Sequence, residues 1–343
     1  MIAAGGTAGH VVPALAVADA LRDHGADVAF VGGERAEAEL VPAAGYDFLT
    51  IRVQPLHRRD PLRAARAGLV DAAAVQASRR IMRSVRPAAV LGAGGYVAGP
   101  VGLAAVLSRV PLVLSEADSH LGLTNRLLAP YARRVCLAFP IDGRNGRRYR
   151  VTGRPVPPGA TDREAARERF GIGPEETCVL VFGGSQGARS INRAALEAFA
   201  GAAFRVLHAV GEGNVGDLEA PGPHYDLHAY ISDFSEALLA ADLVVARAGG
   251  SVFEIAAYGR PMVLIPYPYA AADHQAANAR YVERAGAAVV IPDAELSAQR
   301  LAQEVGVLLS DPSTLAAMAR ASATLARPEA AREIAEEVLA AAR

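Results

Sequence analysis

The sequence predicts an α/β protein of two Rossmann-like parallel-sheet domains, one after the other in the chain and facing a cleft. Three observations carry this expectation. The 343 residues exceed one ordinary domain and, at 52% hydrophobic, can fill two cores. Short apolar runs alternate with alanine-rich amphipathic stretches, the pattern of parallel strands covered by helices on both faces. A strand, a glycine loop and a helix follow one another twice, first at Gly5-Gly6-Thr7-Ala8-Gly9 and again at Gly183-Gly184-Ser185-Gln186-Gly187.

In chain order, a stub strand at Met1–Ala4 leads into the first loop and a helix over Pro13–His24. Buried strands are then expected at Ala26–Val31, Ala88–Leu91, Val110–Leu114, Val135–Ala138 and Tyr149–Thr152. The second half repeats the plan with Cys178–Phe182, a helix over Asn192–Ala200, and strands at Phe204–Val210, Leu227–Ile231, Leu243–Ala246, Met262–Ile265 and Ala287–Ile291. Each half carries a second glycine turn, Gly92-Ala93-Gly94-Gly95 and Ala248-Gly249-Gly250-Ser251. The stretch Gly153-Arg154-Pro155-Val156-Pro157-Pro158-Gly159 reads as a linker stiffened by its prolines. The domains are therefore set at 1–154 and 155–327. The last helix, 328–343, has no strand after it and is expected to pack back on the first domain.

Charge and cysteine content narrow the function. The formal net charge is −1, so no global attraction to nucleic acid is indicated. The chain has no lysine, and its cationic side chains are all arginine, a compositional bias. Cys136 and Cys178 stand in no metal-ligand spacing and suit a reducing compartment. No apolar run reaches the roughly 20 residues that span a bilayer, and MIAAGGTAGH has no basic segment before an apolar one. The expectation is a cytoplasmic protein that touches membrane, if at all, from one side.

The chemistry lies in the loops. A glycine-rich turn between strand and helix lets backbone N–H groups approach a phosphate while the helix dipole favours its charge. The first loop lacks G-x-G-x-x-G spacing, and no acidic residue closes a second strand, which disfavours a nicotinamide dehydrogenase. His10, directly after that loop, has the chemistry to accept a proton from a sugar hydroxyl, or simply caps backbone or packs on Pro13. Gly183–Gly187 also fits the G-x-S-x-G elbow of a hydrolase, with Asp242 or Asp273 and His274 as partners for Ser185. Asp273 and His274 are chain neighbours, however, which triad partners normally are not. The preferred reading has Ser185 and the helix behind it holding a diphosphate. Glu254 is placed to take both hydroxyls of a ribose, or is an ordinary surface glutamate; Gln275 can bond sugar hydroxyls without charge. There is no Asp-x-Asp pair and no metal-ligand cluster, so no metal and no cofactor are expected. The stretch 52–86, with Arg52, Arg58, Arg59, Arg63, Arg66, Arg79, Arg80, Arg83 and Arg86 among apolar residues, is either an anionic-lipid surface or a solvated face.

Taken together, these segments resemble the MurG family of GT-B glycosyltransferases over nearly the whole chain. The resemblance rests on GGTAGHVVPALAVADAL, LGAGGYVAGPVGLAA, LGLTNRLLAP, FGGSQGARSIN, RAGGSVFEIAAYGRPMVLIPYP and DHQAANA, in the family's order. It implies an inverting transfer of GlcNAc from UDP-GlcNAc to the 4-hydroxyl of the muramyl sugar of lipid I, a step of peptidoglycan synthesis. It also implies peripheral attachment to the anionic inner leaflet, on the cytoplasmic face of the cell membrane. By this resemblance His10 is the base, and Thr7, Ala8, Gly9, Asp118, Ser185, Ile231, Gly250, Ser251, Val252, Phe253, Glu254 and Gln275 line the donor site. Gly94, Gly95 and Tyr96 form the loop that faces the acceptor diphosphate. The chain departs from the family at Glu116-Ala117-Asp118, where Glu-Gln-Asn is usual, and at Pro157, where an arginine is usual and Arg154 is the nearest substitute. The stretch Arg247–Glu254 is one residue short.

Overall fold

The computed structural model describes residues 1–53, 61–216, 218–270 and 273–343, with 61–71 described by backbone alone. Arg58, Arg59, Arg63 and Arg66 of the arginine-rich stretch therefore lie outside the described side chains. The chain divides into one unit of Met1–Pro157 with Arg327–Arg343 and another of Pro158–Ala326.

In the first unit the strands are β1 (Ile2–Ala3), β2 (Ala29–Gly32), β3 (Asp47–Thr50), β4 (Val90–Gly92), β5 (Leu112–Glu116), β6 (Arg134–Leu137) and β7 (Tyr149–Val151). All pair in parallel in the order β3-β2-β1-β4-β5-β6-β7. Helices α1 (Ala8–Asp23), α2 (Ala36–Ala43), α3 (Pro61–Val85), α4 (Ala98–Leu107) and α5 (Leu123–Leu128) connect them. Successive strand residues face opposite sides. Ala3, Val31 and Val90 thus pack toward Val97 and Val101 at the α4 side, while Ile2, Phe30 and Leu91 join Val11, Val17 and Leu21 of α1. The stub β1 suffices because it is central, with Ile2 beside both Phe30 and Leu91.

In the second unit α6 (Arg163–Arg169) precedes β8 (Cys178–Phe182), α7 (Arg189–Ala198), β9 (Arg205–Ala209), β10 (Tyr225–His228), α8 (Phe234–Ala240), β11 (Leu243–Ala246), α9 (Val252–Ala257), β12 (Met262–Leu264), α10 (His274–Arg284), β13 (Ala288–Val290), α11 (Ala298–Ser310) and α12 (Pro312–Leu325). The sheet is again parallel, in the order β10-β9-β8-β11-β12-β13. Several bounds differ from the sequence reading by a few residues, and α1 begins at Ala8 rather than Pro13. β3 was not expected, because its mixed-polarity residues form a half-exposed edge. β10 starts at Tyr225 rather than Leu227 because it pairs with Val206–Ala209 and must end where β9 ends.

The last helix, α13 (Ala330–Ala342), buries Ile334, Ala335 and Val338 against the α1 side of the first sheet. A charge cluster fixes it there. Glu337 accepts from Arg134 Nε at 2.6 Å and Arg150 Nη1 at 2.8 Å, and Arg150 also meets Glu333 at 2.9 Å. Burial alone would raise the Glu337 carboxyl, but bonds from Arg150 and Arg134 outweigh it and hold the pKa below the usual range. A depressed carboxylate stabilises the fold above its unfolded pKa, and that contribution is lost as pH falls through the folded value. Glu337→Gln should therefore cost about 2 kcal/mol at neutral pH. In urea unfolding, the gap from the parent protein should close as the pH drops below the ordinary glutamate range.

Candidate active site

In an open parallel sheet, ligands bind beyond the carboxyl ends of the strands, where the strand order reverses. That point lies between β1 and β4 in the first sheet and between β8 and β11 in the second. The glycine loops singled out in the sequence follow these same four strands. Each unit thus brings its pair of loops together at its own switch point.

In the first unit the pairing is tight. The backbone of Gly95, at φ +77°, passes so close to Gly5 that a Cβ there would lie 1.8 Å from the Gly5 carbonyl oxygen. A buried carboxylate that the sequence reading missed holds the arrangement. Glu37 of α2 accepts from Gly6 N–H at 2.8 Å, from Gly33 N–H at 2.9 Å and from the Tyr96 hydroxyl at 3.1 Å. Burial and the adjacent Glu37 charge push the Tyr96 hydroxyl up to about 12. Tyr96, expected to face a ligand diphosphate, instead commits its hydroxyl to this carboxylate.

His10 stands in the first turn of α1, half-buried, with its ring against the Gly94 backbone. Its surroundings follow from Pro13. Lacking an N–H, Pro13 cannot bond the Gly9 carbonyl one turn back, and the Arg154 guanidinium takes that carbonyl instead. Arg154 thus serves the first-unit loop beside His10. Burial first and Arg154 second lower the His10 pKa, while the carboxylates of Asp118 and Glu37 oppose them. His10, Gly94, Gly95, Glu116, Asp118 and Asn125 are among the residues around a pocket of about 220 Å3. Glu116 shapes its wall by accepting from Gly122 N–H at 2.8 Å, Asn125 Nδ2 at 2.9 Å and Asp118 N–H at 3.2 Å. Thr7 and Gly9 are exposed at the loop tip, with Ala8 half-buried between them.

In the second unit Ser185 is exposed on the loop after β8. The loop after β11 rests on Arg247, which donates to the carbonyls of Ile265 and Pro266, to Asp293 at 2.6 Å and to Ser190 Oγ at 2.8 Å. Buried Asn278 of α10 donates to the Ala248 carbonyl at 3.1 Å, and the Gln275 amide lies beside Gly249. Gln275 also accepts from the Tyr267 N–H at 2.9 Å. Gly250, Ser251, Glu254 and Gln275 thus gather around one loop. Val252 and Phe253 bury their side chains and Ile231 does likewise in the β10–α8 connection, which leaves only backbone from these positions. The hydrolase reading loses Asp242, whose carboxylate takes Arg163 and the Cys178 N–H at the opposite, amino end of the strands from Ser185.

Two parallel-sheet units with paired glycine loops at their switch points make up the GT-B architecture. Residues 1–137 match the glycosyltransferase family 28 N-terminal domain and 178–336 its C-terminal domain. The UDP-N-acetylglucosamine–N-acetylmuramyl-(pentapeptide) pyrophosphoryl-undecaprenol N-acetylglucosamine transferase of Moorella thermoacetica is 42% identical over 362 residues, covering 99% of this chain and 98% of that protein. The protein of the same name from Nitrosococcus oceani is 42% identical over 349 residues, covering 99% and 97%. The crystal structure of Acinetobacter baumannii MurG aligns with a TM-score of 0.76 at 30% identity, covering 99% of this chain and 98% of that one. The chain belongs to the MurG family.

Arg247→Ala should weaken UDP binding about tenfold or more in titration calorimetry, because it leaves Asp293 and two carbonyls unmet. Arg247→Lys should not restore it, since one ammonium cannot reach acceptors spread around a guanidinium fork.

Proposed function

We propose that the protein transfers GlcNAc from UDP-GlcNAc, with inversion, to the 4-hydroxyl of the muramyl sugar of a diphosphate-linked muramyl-pentapeptide lipid, the step from lipid I to lipid II. The observation that carries this is His10 standing against a glycine turn at a small pocket, in a chain whose MurG-family relatives are named for that transfer. His10 removes the hydroxyl proton, the oxygen attacks the anomeric carbon, and the bond to UDP breaks. The departing diphosphate charge is met by backbone N–H groups of the loops after β8 and β11, with Ser185 and Ser251 beside them. Thr7, Ala8 and Gly9 line the nucleotide sugar, the Ile231 backbone reads the base, Glu254 takes the ribose and Gln275 the GlcNAc hydroxyls. Asp118 favours the imidazolium that forms as the proton moves. The Gly94-Gly95 turn faces the acceptor diphosphate.

Among the described residues no helix is long and apolar enough to cross a membrane. Peripheral attachment to an anionic membrane surface is supported by exposed Leu103 and Leu107 on α4, Leu127 on α5 and Tyr131 just beyond. Arg109, Arg133, Arg147 and Arg148 line a pocket with Tyr131, placing cations at the edge of this apolar face.

The test is UDP release from UDP-GlcNAc with and without a lipid I analogue, across pH. Release should require the acceptor and should fall only below the ordinary imidazole pKa of about 6.5. Asp118→Asn removes a charge that raises the His10 pKa, so its acid limb should move to still lower pH. His10→Ala should lose about a hundredfold or more in turnover while UDP still binds. Release without acceptor, or full turnover by His10→Ala, overturns the reading.

A further inference from the structure

The Gly94-Gly95-Tyr96 turn borders two pockets. Gly94 and Gly95 help line the one that holds His10, and Tyr96 helps line another of about 440 Å3. This second pocket lies beyond the carboxyl ends of β2 and β3, the ligand-binding edge of the sheet, and nothing in the transfer step described above uses it. Arg35 and Arg52 line it beside Glu34, and the Glu37 carboxylate lies behind its wall, committed to the Gly33 N–H and the Tyr96 hydroxyl. Neither arginine pairs with a carboxylate among the described residues. Arg35 is held in place nonetheless. Its guanidinium lies 5.3 Å over the centre of the Tyr96 ring, and the bond from the Tyr96 hydroxyl to buried Glu37 fixes that ring. A cation stacked on an aromatic face is positioned without being neutralised. Ile51 and the ring supply apolar wall.

We propose that this pocket receives the peptide of the acceptor, with Arg35 and Arg52 binding its carboxylate. The proposal rests on the acceptor reading above. In that reading the acceptor diphosphate meets backbone N–H groups of the glycine turn and the sugar hydroxyl meets His10, so the peptide is the part still without a site. A pentapeptide ends in a carboxylate, whose two oxygens match the guanidinium fork. The pocket is of a size that takes a short peptide segment. Its place on the same turn as the His10 pocket lets one acceptor molecule occupy both.

Initial rates with two acceptors test this: a lipid-linked muramyl-pentapeptide, and the same molecule with its peptide carboxylates converted to amides. Wild-type protein should show an acceptor KM about tenfold higher for the amidated molecule. Arg35→Ala and Arg52→Ala should each raise the KM for the native acceptor about tenfold and leave the KM for UDP-GlcNAc unchanged, which also reports an intact fold. Neither variant should lose anything further on the amidated acceptor. Equal losses on both acceptors would place the arginines on the diphosphate or sugar and overturn the proposal, as would no loss on either. Failure of the wild-type protein to use either acceptor would instead overturn the acceptor reading, and this proposal with it.

Discussion

The Glu37 carboxylate is the interaction on which the first unit's loop arrangement depends. It sits among three loops that leave three neighbouring strands, and one loop from each contributes a donor: Gly6, Gly33 and Tyr96. Glycine turns are entropically costly to order, and their N–H groups repel an apolar environment unless satisfied. One buried acceptor group meets these needs at once. The contact of Gly95 on Gly5 follows, and with it the ring of His10 on Gly94. Tyr96 extends the effect outward, since its tethered ring carries Arg35.

The second unit solves the same problem with a cation. Arg247 leaves β11 and binds two carbonyls from the end of β12 as well as Asp293 and Ser190. A guanidinium with several fixed donors joins elements that one carboxylate would not reach. Asn278 supports the same loop by taking the Ala248 carbonyl. Each unit thus places a buried charged side chain beneath its paired glycine loops, Glu37 in the first and Arg247 in the second.

Much of this was legible in the sequence. The glycine loops stood out because they recur at matching places after apolar runs, and all four lie at switch points. The last helix was legible because no strand follows it. Glu37 was not, since it is one of several acids in Glu34–Glu39 and only the fold decides which one turns inward. Arg154 was read as the nearest substitute for the arginine usual at Pro157; what that reading missed is that its guanidinium binds the Gly9 carbonyl. The signal for that was present in Pro13, whose missing N–H leaves the Gly9 carbonyl without its helical partner. β3 escaped because an edge strand need not show the apolar run of a buried one.

The most direct test of this account is the second-order rate constant of Glu37→Gln for transfer from UDP-GlcNAc to the lipid acceptor, measured beside UDP affinity by calorimetry. Glutamine keeps the volume but turns an N–H2 group toward a backbone donor, which should shift the loops. A displacement of about 1 Å at the reacting groups is enough for a loss of roughly a hundredfold. The account predicts that loss in kcat/KM, with UDP affinity held within about threefold because the second unit's loops are untouched. Transfer at the wild-type rate by Glu37→Gln would show that the carboxylate does not position the site, and would contradict the account at its base.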